Sequence, residues 1–340
     1  MRPILLRIPL PGVEPMVTLY GYGAMMCLGF LAAILVAAHR AKRLNQSPDV
    51  VYNIALFSFL GGLVGARLFF VVQYGGQFHR VWDLLKIWEG GLTFYGGFLL
   101  AAVLVVAYLK AAGRPVLYWL DILAPSLALG EGFGRIGCFM NGCCYGDVCH
   151  TAGGFAWPVG SIPWQHYADA YLESLGLGTL DAGQVDPGAA VGALAAAWHM
   201  PAIQPTQLYS LANGLLLFLA LAATFSWKRR HGQVFFAFIL LYAVSRFLLE
   251  FLRADEAEAY LLGLPTLLGA AGFPQEAARL HLLTISQNVA IGMAAVAVAA
   301  LALLARSRRR ELQADYAPPA MPAAPAPATR AERRRKEKRS

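Results

Sequence analysis

Residues 92–137 read LTFYGGFLLAAVLVVAYLKAAGRPVLYWLDILAPSLALGEGFGRIG. Two apolar stretches, each of the roughly 20 residues that cross a bilayer's hydrocarbon, flank a short basic turn carrying Lys110 and Arg114. Together they predict two antiparallel membrane-crossing helices, and the pattern extends in both directions. Further apolar runs cover roughly 17–38, 51–73, 207–227, 233–252 and 283–305, so the chain is expected to cross the membrane seven times. Composition agrees, with 58% hydrophobic residues, 14% charged residues and a mean hydropathy of +0.52. An ordinary soluble domain, with about a quarter of its residues charged, is excluded. The expected fold class is all-α integral membrane. The first run has no small-residue cleavage site after a short apolar core, so it reads as a retained helix and not a removable signal peptide.

Orientation follows from the Lys/Arg bias of the connections. Basic clusters come after spans one, three, five and seven: Arg40, Lys42 and Arg43; Lys110 and Arg114; Lys228, Arg229 and Arg230; Arg306, Arg308, Arg309 and Arg310. With the terminal run from Arg330 to Arg339 they hold most of the 28 Lys and Arg residues. The amino terminus is therefore expected outside and the carboxyl terminus in the cytoplasm, an alternation that requires an odd number of spans. The net charge of +8 is read as this topology signal plus a basic tail, not as nucleic-acid binding.

Four regions result. Residues 1–146 carry spans one to four, 147–206 form a small periplasmic head rich in turn residues and aromatics, and 207–305 carry spans five to seven. Residues 306–340, Ala/Pro-rich and then charged, read as a disordered cytoplasmic tail. The stretch 254–282 has an apolar middle too short to span and is expected to lie along the interface.

Charged groups at membrane depth are costly and mark functional sites by default. Arg67 follows Gly61, Gly62 and Gly65, small residues that let helices approach closely. Tyr242, Arg246 and Glu250 recur every four residues and share one helix face. The densest signal is Gly130-Glu131-Gly132-Phe133-Gly134-Arg135-Ile136-Gly137-Cys138-Phe139-Met140-Asn141-Gly142-Cys143-Cys144-Tyr145-Gly146-Asp147. Its glycines suggest a helix broken beside a polar cavity, where backbone N–H groups meet a ligand. One reading has the arginines merely pairing with Glu131 and Glu250 to tie helices together. The other has the surplus positive charge gripping a phosphate, which a guanidinium does through two hydrogen bonds.

These residues resemble the prolipoprotein diacylglyceryl transferases of bacterial inner membranes over nearly all of residues 15–305. The match runs through Gly134-Arg135-Ile136-Gly137, Phe139-x-Asn141-Gly142 and Gly146, which are similar to the family's signature. It continues in Tyr22-Gly23, Gly65-Ala66-Arg67, Gly90-Gly91-Leu92-Thr93-Phe94-Tyr95-Gly96-Gly97, Pro205-Thr206-Gln207-Leu208-Tyr209, and Tyr242, Arg246, Glu250 and Arg253. The resemblance implies a multi-pass inner-membrane enzyme that transfers the diacylglyceryl group of phosphatidylglycerol to the lipobox cysteine of a preprolipoprotein. A thioether forms and glycerol phosphate leaves. It implies Arg135, Arg246 and Tyr95 as catalytic residues. Arg135, Arg246, Tyr22, Asn141, Gly146, Tyr242 and Glu250 would bind phosphatidylglycerol, with Arg67, Glu131 and Arg253 in support. Phosphatidylglycerol, preprolipoprotein signal peptides and membrane lipids are the expected partners; no cofactor and no metal is expected.

The chain departs from well-known members at several points. Tyr95 stands where they carry a histidine proposed to help activate the thiol, and Cys138 and Cys143 stand where they carry Asn and Glu. Gln204 and Ser210 replace a His and a Glu around the Pro-x-Gln-Leu-Tyr stretch. Cys138, Cys143, Cys144, Cys149 and His150 admit three readings: a metal site, disulfides at an oxidising outer face, or small buried thiols. Cys27 reads as helix packing. Two competing functions are a family-like membrane paralogue with a cysteine-based metal or redox site, and a transporter for an anionic solute. Paired half-repeats, which a transporter of that kind would show, are not evident in the sequence.

Overall fold

In the computed structural model the described residues are 4–10, 13–74, 91–149, 153–176, 194, 198–253 and 284–306. Strands β1 (Ile4–Leu10) and β2 (Val13–Tyr20) precede helix α1 (Gly21–Arg43). Then come α2 (Asp49–Gln73), α3 (Phe94–Ala111) and α4 (Val116–Asn141). A short helix α5 (Ile162–Ser174) lies between α4 and α6 (Thr206–Thr224), which a 3₁₀ turn prolongs over Phe225–Trp227. Helices α7 (Gln233–Glu250) and α8 (Ile285–Arg306) complete the described fold. All but α5 are long and apolar enough to cross a membrane, seven in number. The chain is a mostly helical, multi-pass membrane protein. The 254–282 stretch, part of the head region and the basic tail beyond Arg306 lie outside the described residues.

Helix α4 is the axis. Half of its most apolar window is buried inside the protein, against 11–28% for the other spans. It packs on α1, α6 and α7, while α2 pairs chiefly with α3 and α8 with α7. Lipid supplies no hydrophobic drive between helices, so close backbone approach at small residues must hold them. A Cβ on Gly29 would meet Phe133 at 2.7 Å, one on Gly214 would meet the Gly132 backbone at 3.2 Å, and one on Gly61 would meet Ala101 at 2.8 Å.

Two expectations are corrected. The first apolar run does not begin a helix near 17, because residues 13–20 form β2, paired antiparallel with β1 from Leu10↔Val13 to Ile4↔Tyr20. Hydropathy counts apolar residues whatever their period, and the β-branched Val17 and Thr18 suit a strand. The glycine-rich signature also breaks its helix later than its first glycines imply. α4 continues through Gly130, Gly132, Gly134 and Gly137 to Asn141 and ends at Gly142, whose φ is +79°. Each helical glycine costs about 1 kcal/mol against alanine, offset here by neighbours that fill the space a side chain would take: Leu211 at Gly132, and Tyr22 and Met25 at Gly137.

At the opposite end of α4 the basic connections meet a carboxylate that sequence reading passed over. Asp121 is fully buried and accepts from Lys228 Nζ at 3.1 Å, from the Gly232 N–H at 2.8 Å and from the Phe235 N–H at 2.9 Å. It thus caps α7, whose own N-cap is a glycine, where an anion is favoured by the free N–H groups and the helix dipole. Lys228 lies 4.2 Å from the Phe225 ring centroid, and the Arg40 guanidinium lies 4.4 Å from the same ring. Burial draws the Lys228 ammonium down from its ordinary pKa, and Asp121 opposes that.

Asp121→Ala strands a buried ammonium and two N–H donors and is expected to cost about 3–5 kcal/mol. Thermal unfolding in detergent should show a lowered midpoint, partly recovered when Lys228→Met is added. Strictly additive losses in the double variant would show that the two side chains are not coupled.

Candidate functional site at the glycine-rich end of α4

The site is built from two helix faces. On α4, Arg135 sits one turn beyond Glu131, with 3.6 Å between guanidinium and carboxylate and side chains 16% and 20% exposed. On α7, Arg246 pairs with Glu250 in the same i, i+4 way. Each arginine therefore keeps a counter-ion on its own helix, and neither pair ties one helix to another. Across the helices, Tyr242 lies in the fields of Glu131, Arg135, Arg246 and Arg253, and Glu131 also lies in that of Arg246. The second Glu131 oxygen, Oε2, is buried and accepts no hydrogen bond among the described residues.

Helix α8 fixes the α7 side of this cluster. Arg246 Nη2 donates to Ser286 Oγ at 2.9 Å, and Thr284 Oγ1 donates to Glu250 Oε1 at 2.8 Å. Sequence reasoning singled out neither hydroxyl. Their signal is two small polar residues at the very start of an apolar run.

Beyond Asn141 the chain turns back over α4. Gly142 has φ +79° and Cys144 φ +60°, a left-handed pair of which only the first is a glycine. The turn is fastened from α6: Gln207 Nε2 donates to the Cys143 carbonyl at 2.8 Å, and Thr206 Oγ1 donates to the Cys144 carbonyl at 2.7 Å. Gln207 is fully buried and Thr206 is 2% exposed, so these bonds form where water does not compete. This assigns physical work to the Pro205-Thr206-Gln207 stretch, which entered the sequence reading only through its resemblance. Further along, Gly146 N–H donates to Gln204 O at 2.9 Å and Asp147 N–H to Leu252 O at 3.1 Å, joining the turn to the end of α7. A Cβ on Gly146 would strike Leu252 O at 2.5 Å, so only glycine fits.

The turn carries a small aromatic cap. Tyr145, Trp157 and Ile203 form a buried group with Phe139, Tyr167 and Met200 around it, next to a second group of Trp164, Ala168 and Leu194. Helix α5 starts with Ser161 accepting from Trp164 N–H. Burial and the nearby Asp147 carboxylate push the Tyr167 phenol upward from its ordinary pKa.

Of the residues read from sequence, Glu131, Arg135, Tyr242, Arg246 and Glu250 come together. Tyr22 joins them: it packs on Gly137, within 3.1 Å of where a Cβ would stand, and lies in the fields of Arg135 and of Cys138, Cys143 and Cys144. Asn141 ends α4 next to this turn, where Cys143 Sγ points to the Cys138 carbonyl at 3.8 Å. Arg253 pairs its backbone with Gly146 in an isolated bridge. Arg67 is placed elsewhere, on α2, donating to the Gly91 carbonyl at 3.2 Å beside the Phe70 ring. Tyr95, at the start of α3, is 62% exposed with its ring edge-on to Phe94. Among the described cysteines none forms a disulfide, and the sulfurs of Cys138, Cys143 and Cys144 lie within 4.8 Å of one another, while Cys149 is not in that group.

Gln207→Leu removes the donor to the Cys143 carbonyl and should destabilise the turn by about 1–3 kcal/mol. Thiol labelling would read it: Cys143 and Cys144 should react faster with maleimide while Cys27 keeps its rate. Equal rates in variant and parent would show that Gln207 does not hold the turn.

Comparison with known proteins gives a consistent result. A family profile described as prolipoprotein diacylglyceryl transferase matches residues 12–303. A phosphatidylglycerol–prolipoprotein diacylglyceryl transferase of Geobacter sulfurreducens is 34% identical over 257 residues, covering 73% of this chain and 83% of the relative. One of Clostridium tetani is 30% identical over 238 residues, covering 70% and 82%. Another, of Chromohalobacter salexigens, is 30% identical over 262 residues, covering 73% and 82%.

Proposed function

The chain belongs to the prolipoprotein diacylglyceryl transferase family, and from that premise we propose that it moves the diacylglyceryl group of phosphatidylglycerol onto the lipobox cysteine of preprolipoproteins. The thiol gives up its proton to solvent, its sulfur attacks the glyceryl carbon to form a C–S bond, the C–O bond to phosphate breaks, and glycerol phosphate leaves with the electron pair. The leaving charge must be stabilised where it develops.

The observation that carries the site assignment is the convergence of Arg135 and Arg246 from two helices beside the turn that ends α4. Both side chains are 16% exposed, enough to reach a headgroup yet little enough to hold a weakly hydrated field. Arg135 and Arg246 grip the phosphate; Glu131 and Glu250 hold their guanidinium groups in place along the helix faces; Tyr22 and Tyr242 border the same space. The N–H groups within α4, and those of Gly142, Cys143, Gly146 and Asp147 after it, are engaged in backbone bonds, so the grip on the phosphate falls to the side chains. Gly146 and Arg253 shape that turn, and Arg67 holds the entry to α3. Tyr95, being exposed, is left a role in orienting the incoming peptide and none as a base.

In this reading the protein resides in the cytoplasmic membrane with its amino terminus and the 147–206 head outside, residues 306–340 inside, and the head covering the site where signal peptides arrive. The basic ends of α1 and α6 gathered at the Asp121 end of α4 support that orientation.

The test is detergent-solubilised protein with phosphatidylglycerol and a synthetic lipobox peptide, following released glycerol phosphate and the mass gain on the peptide cysteine. The parent should transfer, and Arg135→Ala and Arg246→Ala should each lose roughly 10²-fold or more. Tyr95→Phe should leave the rate nearly unchanged. Wild-type rates in either folded arginine variant would remove that arginine from the mechanism.

A further inference from the structure

The three sulfurs beside Arg135 have no role in the chemistry above. Cys138 is on the last turn of α4, and Cys143 and Cys144 are returned over it by the left-handed residues Gly142 and Cys144. The return is locked: the Gly142 and Cys143 N–H groups both donate to the Cys138 carbonyl, at 2.9 and 3.2 Å. Gln207 and Thr206 hold the two following carbonyls from a third direction. The sulfurs therefore converge within 4.8 Å of each other on a backbone that is held at several points.

That spacing fits a metal. Zinc takes thiolate sulfur at about 2.3 Å in tetrahedral sites, which sets neighbouring sulfurs about 3.8 Å apart. Side-chain rotations that draw the sulfurs in by at most about 1 Å reach that arrangement. A disulfide would use two of the three thiols and leave one over. Three protein ligands with an open fourth position is the arrangement of catalytic zinc sites, whereas structural ones are closed. Arg135 lies in the field of Cys138 and Cys144, which places the cluster next to the phosphate-gripping side chain.

We propose that Cys138, Cys143 and Cys144 form a three-thiolate zinc site whose open fourth position takes the sulfur of the acceptor cysteine. The inference rests on the transferase reading for the identity of that thiol. Binding of the metal to the three cysteines releases three protons. The acceptor thiol then displaces water from the fourth position and gives its proton to solvent, which yields a nucleophilic thiolate without a general base. Its attack on the glyceryl carbon proceeds as written above, and the neutral thioether, a weak ligand for zinc, leaves. A chain with a tyrosine at position 95 and cysteines at 138 and 143 would activate its thiol in this way beside the arginines that hold the phosphate.

The test uses the full-length protein in detergent, reduced and handled without oxygen. Metal analysis after incubation with Zn²⁺ and removal of excess should find one ion per chain. It should be lost in Cys138→Ser and in the Cys143→Ser, Cys144→Ser double variant, and retained in Cys27→Ser, whose thiol is on α1 away from the cluster. Co²⁺ in the same site should show a thiolate charge-transfer band and visible bands that shift on adding lipobox peptide but not its Cys→Ser analogue. Circular dichroism and thermal unfolding of the serine variants separate loss of metal from loss of fold. Folded parent that binds no zinc or cobalt overturns the site, as does metal retained when all three cysteines are serine, or a disulfide among them in protein isolated without reductant. Cobalt bands that ignore the peptide overturn the fourth-position role. Full transfer by chelated, metal-free protein overturns the zinc reading while leaving the transferase reading intact. One bound zinc and a peptide-sensitive band with no lipid transfer would do the reverse.

Discussion

Arg135 can stay charged at its depth because Glu131 stands one helical turn away. An unpaired guanidinium in hydrocarbon is expensive, so the partner has to be present before any substrate is. The same holds for Arg246 and Glu250. Given these pairs, the remaining architecture follows: α4 must be the inner helix so that its charged face looks toward α7 and away from lipid, and the helices around α4 must approach closely enough to shield it. The glycines of α4 serve this need. They trade intrinsic helix stability for close contact with α1 and α6, which is why the helix runs on through four glycines to Asn141 before it breaks.

Much of this fold is legible in the chain because its largest signals are local. An apolar run of span length has few alternatives, and the seven helices lie where hydropathy places them, with ends moved by a few residues. The β1–β2 hairpin was not legible, because an apolar strand next to an apolar helix shows no break in hydropathy. Asp121 was not legible either. One carboxylate near the start of an apolar run carries no sign of the two N–H groups and the ammonium that reach it from residues 228–235.

The site divides along the same line. Tyr242, Arg246 and Glu250 are visible as a helical repeat, and Arg135 and Glu131 as charges among glycines, since in each case the partners are four residues apart. Thr206, Gln207, Thr284 and Ser286 work across elements far apart in sequence, and a hydroxyl or amide at a span's first turn is common enough to pass unnoticed. Tyr95 and Arg67 are a different case. They lie in stretches that match the family, yet Tyr95 is mostly exposed and Arg67 bonds to Gly91 at the entry to α3. Resemblance identifies a stretch; the contacts decide what each of its side chains does.

Both arginine–carboxylate pairs run along a helix and not between helices, and this bears on how a two-tailed lipid gets in and out. A bundle bolted together by interhelical salt bridges must strand a charge in oil each time its walls part. Here α4 and α7 are fastened near both ends, by Asp121 to the Gly232 and Phe235 N–H groups and by the Asp147 N–H to Leu252 O, and between those ends each arginine keeps its own carboxylate. A lipid headgroup entering between the two charged faces therefore displaces dispersion contacts and no ion pair, and leaves both fastenings in place.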